Sequence, residues 1–277
     1  MSFGLLRLNC GVAALGVATI GRSKLDVTRG KGRSSSSRRE WERSEDREPH
    51  ILERLLAPFR DRGRFWTNVF LAANIVVFMG QLALGSDRVV MWGAKVNEFI
   101  DQGQYWRFIT ANFLHSGVSH LLMNCYSLNN VGPSWERIAG APRFLTVYAA
   151  ASLATVLASY SFTPQPSVGA SGAIFGLVGA LTVFSYRYMR LFRSGEGREL
   201  FNSLVRTVAV NALLGVAIQR WDNWGHAGGF LGGAAAAWIL GPSYEVNYYA
   251  GLMVDRPPLR RLLDQFDKSN GKKDTPL

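Results

Sequence analysis

The stretch Gly169–Tyr188 reads GASGAIFGLVGALTVFSYRY and carries a single charge, Arg187, close to its end. About 20 predominantly apolar residues are what a helix needs to cross the hydrocarbon core of a bilayer. The stretch is therefore read as a membrane span, with a serine at its start and small residues along its length.

With a window of about 19 residues, five further candidates emerge on either side: Trp66 to Leu84, His115 to Val131, Arg143 to Ser161, Phe201 to Gln219 and Asn223 to Leu240. Polar or Gly/Pro-containing breaks separate them. The expected fold class is an all-α polytopic membrane protein with six transmembrane helices. The second and sixth spans are the least apolar, with His120, Asn124 and Asn129 in one and Trp224, His226 and several glycines in the other. Polar groups at membrane depth are expensive and face a protein interior or a water-filled cavity, so function is sought in these weak spans.

Lysines and arginines are distributed asymmetrically about the six spans. One side holds Arg54, Arg60, Arg62 and Arg64, then Arg137 and Arg143, then Arg187, Arg190, Arg193, Arg198 and Arg206, and the basic C-terminal tail. The other side holds only Arg88, Lys95, Arg107 and Arg220. The positive-inside rule then puts both termini on the side of insertion. The net charge of +11 is explained by this topology and calls for no nucleic-acid partner. Cys10 and Cys125 are too few for a disulfide framework or a thiolate metal site.

Four segments are expected. Residues 1–39 are basic, contain the run Ser34 to Ser37 and have one acid, Asp26, the composition of an organellar transit peptide; a secretory signal is the competing reading, since Ala13 to Ile20 is apolar. Residues 40–64 form a charged N-terminal segment, 65–242 the membrane domain, and 243–277 a polar C-terminal tail.

With this topology, spans two, four and six enter the bilayer from one face, each bearing its unusual residues near that entry. His120 and Asn124 stand at i, i+4 on one face of span two. Ser171 opens span four and His226 opens span six, within Gly225-His226-Ala227-Gly228-Gly229. A serine hydroxyl becomes a useful nucleophile when a neighbouring base accepts its proton, and a neutral imidazole suits that task. Gly172 and Gly176 on span four, and Gly225, Gly229 and Gly233 on span six, form small-xxx-small patterns that let two backbones approach closely. A helix N-terminus at Ser171 also points backbone N–H groups at developing negative charge. Asn68, Asn74, Gln81 and Asn211 are read as helix–helix contacts or interface residues.

Two rival classes weigh less. His115, His120 and His226 could bind zinc, but His115 and His120 are five apart with no carboxylate beside them, unlike the H-E-x-x-H of a helical zincin. No metal and no cofactor are expected. A transporter would show spans one to three repeated in four to six, and no such repeat is visible.

Over about residues 65–242 the sequence resembles the rhomboid family of intramembrane proteases. Four segments carry the likeness in order: Tyr105-Trp106-Arg107 in the first loop, HSGVSHLLMN from His115 to Asn124, GASGAIFG from Gly169 to Gly176, and GHAGGFLGG from Gly225 to Gly233. The resemblance implies a six-helix rhomboid-type bundle with an amphipathic first loop, acting as a serine endopeptidase that cuts transmembrane protein substrates within the lipid bilayer. Ser171 and His226 would be a catalytic dyad without a third acidic member, and His120, Asn124 and the Ser171 N–H would line the oxyanion hole. Phe175 stands where some members carry a tyrosine that packs on the imidazole. Trp106 and Arg107 would anchor the first loop at the interface, His115 would be structural, and Gly169, Gly172, Gly176 and Gly229 would support the packing. Inactive relatives that bind membrane clients without cutting them supply the alternative function. A transit-like leader on such a core looks more like a chloroplast member, in an envelope or other plastid membrane, than one of the mitochondrial inner membrane.

Overall fold

The computed structural model describes residues 61–188, 198–199, 201–207, 209, 222–247 and 252–269. The leader-like residues 1–39, nearly all of the charged segment 40–64 and most of the expected fifth span, Asn211 included, lie outside them. The described residues are mostly helical. A 3-10 turn at Arg62–Arg64 leads into α1 (Phe65–Leu84), and three short helices follow: α2 (Ser86–Gly93), α3 (Asn97–Asp101) and α4 (Arg107–Thr110). The long helices α5 (Val118–Ala139), α6 (Ala141–Phe162), α7 (Ser171–Tyr188) and α8 (Asn223–Leu240) come next. A hairpin of β1 (Tyr244–Asn247) and β2 (Leu252–Asp255) and a final helix α9 (Pro258–Ser269) close the chain.

Helix boundaries follow local chemistry. Gly85 at φ 94° ends α1, and Gly140 at φ 77° separates α5 from α6, a left-handed conformation that glycine adopts at little cost. Pro142 then occupies the first turn of α6, where its missing N–H is not needed. Asp222 caps α8 by accepting the Gly225 N–H at 2.8 Å.

The second span departs from expectation at both ends. It starts at Val118 rather than His115, because the His115 backbone is taken by Gln81 of α1: His115 N–H donates to Gln81 Oε1 at 3.0 Å and Gln81 Nε2 donates to the His115 carbonyl at 2.9 Å. It also runs on past Gly132-Pro133 to Ala139. A proline inside a helix removes one hydrogen bond, but this extension buries Trp135 and Glu136, and Glu136 holds the start of α1. Its carboxylate accepts the Trp66 N–H at 2.8 Å, the Thr67 N–H at 2.9 Å and the Thr67 hydroxyl at 2.8 Å.

On α1 and on the outer faces of α6 and α8 the burial pattern differs from that of a water-soluble bundle. On α1, Thr67, Asn74 and Gln81 are fully buried, while Val76 and Met79 are 68% and 60% exposed. Leu153 and Leu157 on α6, and Leu231 and Ile239 on α8, are likewise exposed. Polar side chains turned inward and large apolar ones turned outward suit lipid as the surrounding solvent. Among the described residues, α1 and α6 are long and apolar enough to cross a membrane.

The interior lies between α5, α6 and α7, where Leu128, Trp135, Phe144, Val147, Tyr148, Ala173 and Leu177 pack together. Phe70 of α1 stacks on Tyr148 with ring centroids 4.0 Å apart. On the other side α8 lies against α6 and α7 with almost no side chains between the backbones. A methyl added at Gly229 would overlap the Gly172 carbonyl, one at Gly233 the Gly176 backbone, and one at Gly228 the side chain of Ala158. Gly172 faces a third helix as well, since a methyl there would overlap Thr155 of α6.

Candidate active site

The first loop, residues 85–117, is held by its own buried polar groups. Arg107 was expected at the membrane interface. Its side chain is instead 2% exposed and points into the loop. Its Nη1 donates to the carbonyls of Met91 at 2.9 Å and Ala94 at 2.7 Å, Nε and Nη2 share Gln104 Oε1, and the guanidinium lies 4.6 Å from the Phe99 ring. Five donors in a rigid planar fork suit this task better than a lysine would. Trp106 remains half-exposed, stacked on Trp92, and donates Nε1–H to the Trp92 carbonyl at 3.2 Å.

Lys95 joins this loop to the segment that leads into Ser171. Its backbone forms a two-bond bridge with Ser167, and its fully buried ammonium donates to the carbonyls of Thr163 and Gln165 and to Asn97 Oδ1. Burial pushes the Lys95 ammonium below its usual pKa, partly offset by the nearby Asp222 charge. The chain then reaches Gly169 at φ 129°, whose N–H donates to the Ala111 carbonyl at 2.8 Å. Glycine is required here for two reasons: the backbone conformation is left-handed, and a Cβ would come within 2.7 Å of the His120 ring.

Ser171 is the first residue of α7, and its Oγ lies 2.8 Å from His226 Nε2, in the first turn of α8. The His226 ring stacks on Phe175, one turn along α7, with centroids 4.7 Å apart and planes inclined by 26°. The His226 N–H donates to the Asp222 carbonyl at 3.0 Å, and the Asp222 carboxylate accepts from Gly225 N–H and, at 3.3 Å, from the Thr163 hydroxyl. The cap that starts α8 thus fixes where His226 stands relative to the end of α6.

On the neighbouring helix α5, the His120 ring lies against Gly169 on the Ser171 side, and its Nδ1 is 3.1 Å from the Ser116 hydroxyl. Asn124 is buried and donates Nδ2–H to the His120 carbonyl at 2.9 Å, within its own helix. His115 is fully buried behind His120, with ring centroids 5.3 Å apart, and its Nδ1 is 3.1 Å from the Phe113 carbonyl. Among the described residues no three His, Cys, Asp or Glu side chains converge as a metal site would require.

Sequence reading overlooked Lys95, Glu136 and Asp222. An acid four residues before a histidine at a helix start was a visible signal for Asp222, whereas Glu136 lies past the Gly132-Pro133 break at which the expected second span ends. The burial of Lys95 had no local signature.

A helical bundle in which α7 and α8, meeting glycine to glycine, hold a serine hydroxyl against an imidazole defines a class with a serine–histidine pair between two closely packed helices. Comparison with known proteins gives the family. Residues 102–243 match the family model described as Rhomboid domain, and the chain belongs to the rhomboid family, an integral-membrane family. It is 37% identical over 189 residues to the rhomboid protease GluP of Bacillus subtilis, covering 67% of this chain and 36% of that protein. RHOMBOID-like protein 7 of Arabidopsis thaliana is 32% identical over 194 residues, 69% of this chain and 58% of that protein. RHOMBOID-like protein 9, chloroplastic, from the same plant is 29% identical over 169 residues, 61% and 38% respectively. The chain thus spans from about a third to under two thirds of the length of these three relatives.

Proposed function

We propose that this chain is an intramembrane serine endopeptidase that cleaves transmembrane protein substrates with a Ser171–His226 dyad. The observation that carries the reading is the 2.8 Å contact between Ser171 Oγ and His226 Nε2 across two tightly packed helices. In a neutral imidazole whose Nε2 accepts from Ser171, the ring proton sits on Nδ1. Ser171 Oγ then attacks the scissile carbonyl as its proton passes to Nε2. The resulting imidazolium donates that proton to the leaving amine, and the ester formed on Ser171 is hydrolysed by water activated at the same nitrogen.

Negative charge on the substrate oxygen would meet the open N-terminus of α7, whose first-turn N–H groups precede the bond from Ile174 N–H to the Ala170 carbonyl at 3.1 Å. His120, whose ring lies against Gly169, and Asn124, one turn further along α5, would supply side-chain donors. An amide carries two donor hydrogens, so Asn124 can serve the oxyanion while keeping its bond to the His120 carbonyl. Gly169, Gly172, Gly176 and Gly229 set the approach of the helices, Phe175 orients the imidazole by stacking, and His115, Trp106 and Arg107 support the loop beside the site.

The full reading has six membrane spans, Phe201 to Gln219 supplying the fifth, with both termini on the side of insertion. The basic, serine-rich residues 1–39 and the likeness to a relative named chloroplastic support a plastid membrane. A fluorophosphonate probe tests the enzyme reading: the purified protein becomes labelled at Ser171, and labelling is lost in His226→Ala. A folded wild-type protein that takes no label would instead be a noncatalytic client-binding member.

A further inference from the structure

Helix α9, PLRRLLDQFDKS, is strongly amphipathic. Leu259, Leu262, Leu263 and Phe266 fall at i, i+3, i+4 and i+7, one stripe about 100° wide. All four are exposed, Leu263 by 55% and Phe266 by 65%. The helix meets the protein through its opposite face. Arg261 donates to Ser243 Oγ at 2.7 Å, to the Arg256 carbonyl at 3.0 Å and to Glu245 at 2.8 Å. A helix with its polar side on the protein and its apolar side outward needs another apolar phase to cover it.

The position of α9 says which phase that is. The hairpin that carries it is bolted to one end of the bundle. Arg143, in the first turn of α6, pairs with Asp255, which also accepts the Ser243 N–H at 2.9 Å. The Tyr188 hydroxyl, at the end of α7, accepts the Tyr244 N–H at 2.6 Å and donates to the Pro242 carbonyl at 3.2 Å. Arg187 reaches the carbonyls of Trp238, in the last turn of α8, and of Pro242, just past its end. Exposed Tyr186, Trp238 and Tyr244 ring this same end, and aromatic residues of that kind mark the headgroup level of a bilayer. Arg256 and Arg260 beside the apolar stripe are exposed, placed to meet phosphate groups.

We propose that α9 is an interfacial helix that lies flat on the anionic leaflet at this end of the bundle, its leucines and Phe266 inserted about 5–10 Å into the headgroup–acyl boundary and its arginines on lipid phosphates. The inference rests on the bundle spanning the bilayer. It makes the C-terminal tail a membrane-bound element that grips α6, α7 and α8 from below and ties the two site helices to the lipid surface.

The test uses the full chain with Cys10 and Cys125 replaced by serine, reconstituted in vesicles containing phosphatidylglycerol, with an environment-sensitive fluorophore on a single new cysteine. Leu263→Cys should give blue-shifted emission quenched by a lipid with a shallow nitroxide and shielded from aqueous iodide. Gln265→Cys, on the polar face, should show the reverse. Val76→Cys on α1 reports the span itself through a deep nitroxide. If Val76 is quenched in lipid while Leu263 is as open to iodide as Gln265, the interfacial helix is wrong and the membrane bundle stands. If Leu263 is shielded only at high protein-to-lipid ratio, a second copy covers the face and the proposal falls. Equal insertion in purely zwitterionic vesicles would overturn the role given to lipid charge.

Discussion

The α-carbon of Gly229 faces the carbonyl oxygen of Gly172 so closely that even a methyl group on Gly229 would overlap it. One residue before Gly172 is Ser171, and three before Gly229 is His226. Overpacking a tight contact commonly costs about 1–3 kcal/mol, and a displacement of about 1 Å at reacting groups can cost on the order of 100-fold in rate. Gly229→Val should therefore lose more activity than stability. Thermal unfolding and single-turnover cleavage on one preparation check this, and unchanged cleavage would show that the contact does not set the Ser171–His226 distance.

Asn124 is expected to act on the transition state. Removal of one oxyanion donor costs about 100- to 1000-fold in turnover, so Asn124→Ala should lower kcat with little change in KM. A raised KM at constant kcat would make Asn124 a substrate-positioning residue held by its bond to the His120 carbonyl.

Glu136 holds the first turn of α1 with three hydrogen bonds to its carboxylate. Hydrogen bonds to a charged group contribute about 1.5–3 kcal/mol each, and losses within one cluster are not additive. Glu136→Ala should lower stability by roughly 3 kcal/mol, and Glu136→Gln, which keeps one acceptor oxygen, by less. Unfolding in detergent reads the order wild type, Gln, Ala; equal stability of all three would deny the cap.

Lys95→Met keeps the length of the side chain and removes its donors, leaving the Thr163 and Gln165 carbonyls without the ammonium. An unsatisfied buried group costs about 1–3 kcal/mol. The variant should unfold more readily, and proteolysis of the intact protein should cut sooner within residues 163–170. Protection equal to wild type would mean that the Lys95–Ser167 backbone bridge suffices alone.

The candidate-site residues on the long helices were legible in the sequence because polar residues are conspicuous in apolar stretches: Ser171 and His226 stand out among glycines, and those glycines forecast the close approach of α7 and α8. The stacking of Phe175 on His226 followed the family resemblance. What was not legible depends on contacts distant in sequence. Arg107 looked like an interface anchor because nothing local shows that Met91 and Ala94 turn their carbonyls toward it. Gln81 looked like a helix–helix contact, whereas it clamps the His115 backbone and so delays the start of α5. The Gly132-Pro133 pair reads as a break, yet the helix continues because Trp135 and Glu136 find buried partners beyond it.

The central claim is that Ser171 and His226 act as one chemical unit. The most direct measurement is cleavage of a transmembrane-segment substrate by purified, reconstituted wild type, Ser171→Ala, His226→Ala and the double variant. The account predicts that each single replacement abolishes cleavage as completely as both together, since a nucleophile and its base are not additive, while all four proteins unfold cooperatively. A folded Ser171→Ala or His226→Ala protein that cuts at the wild-type rate would contradict it.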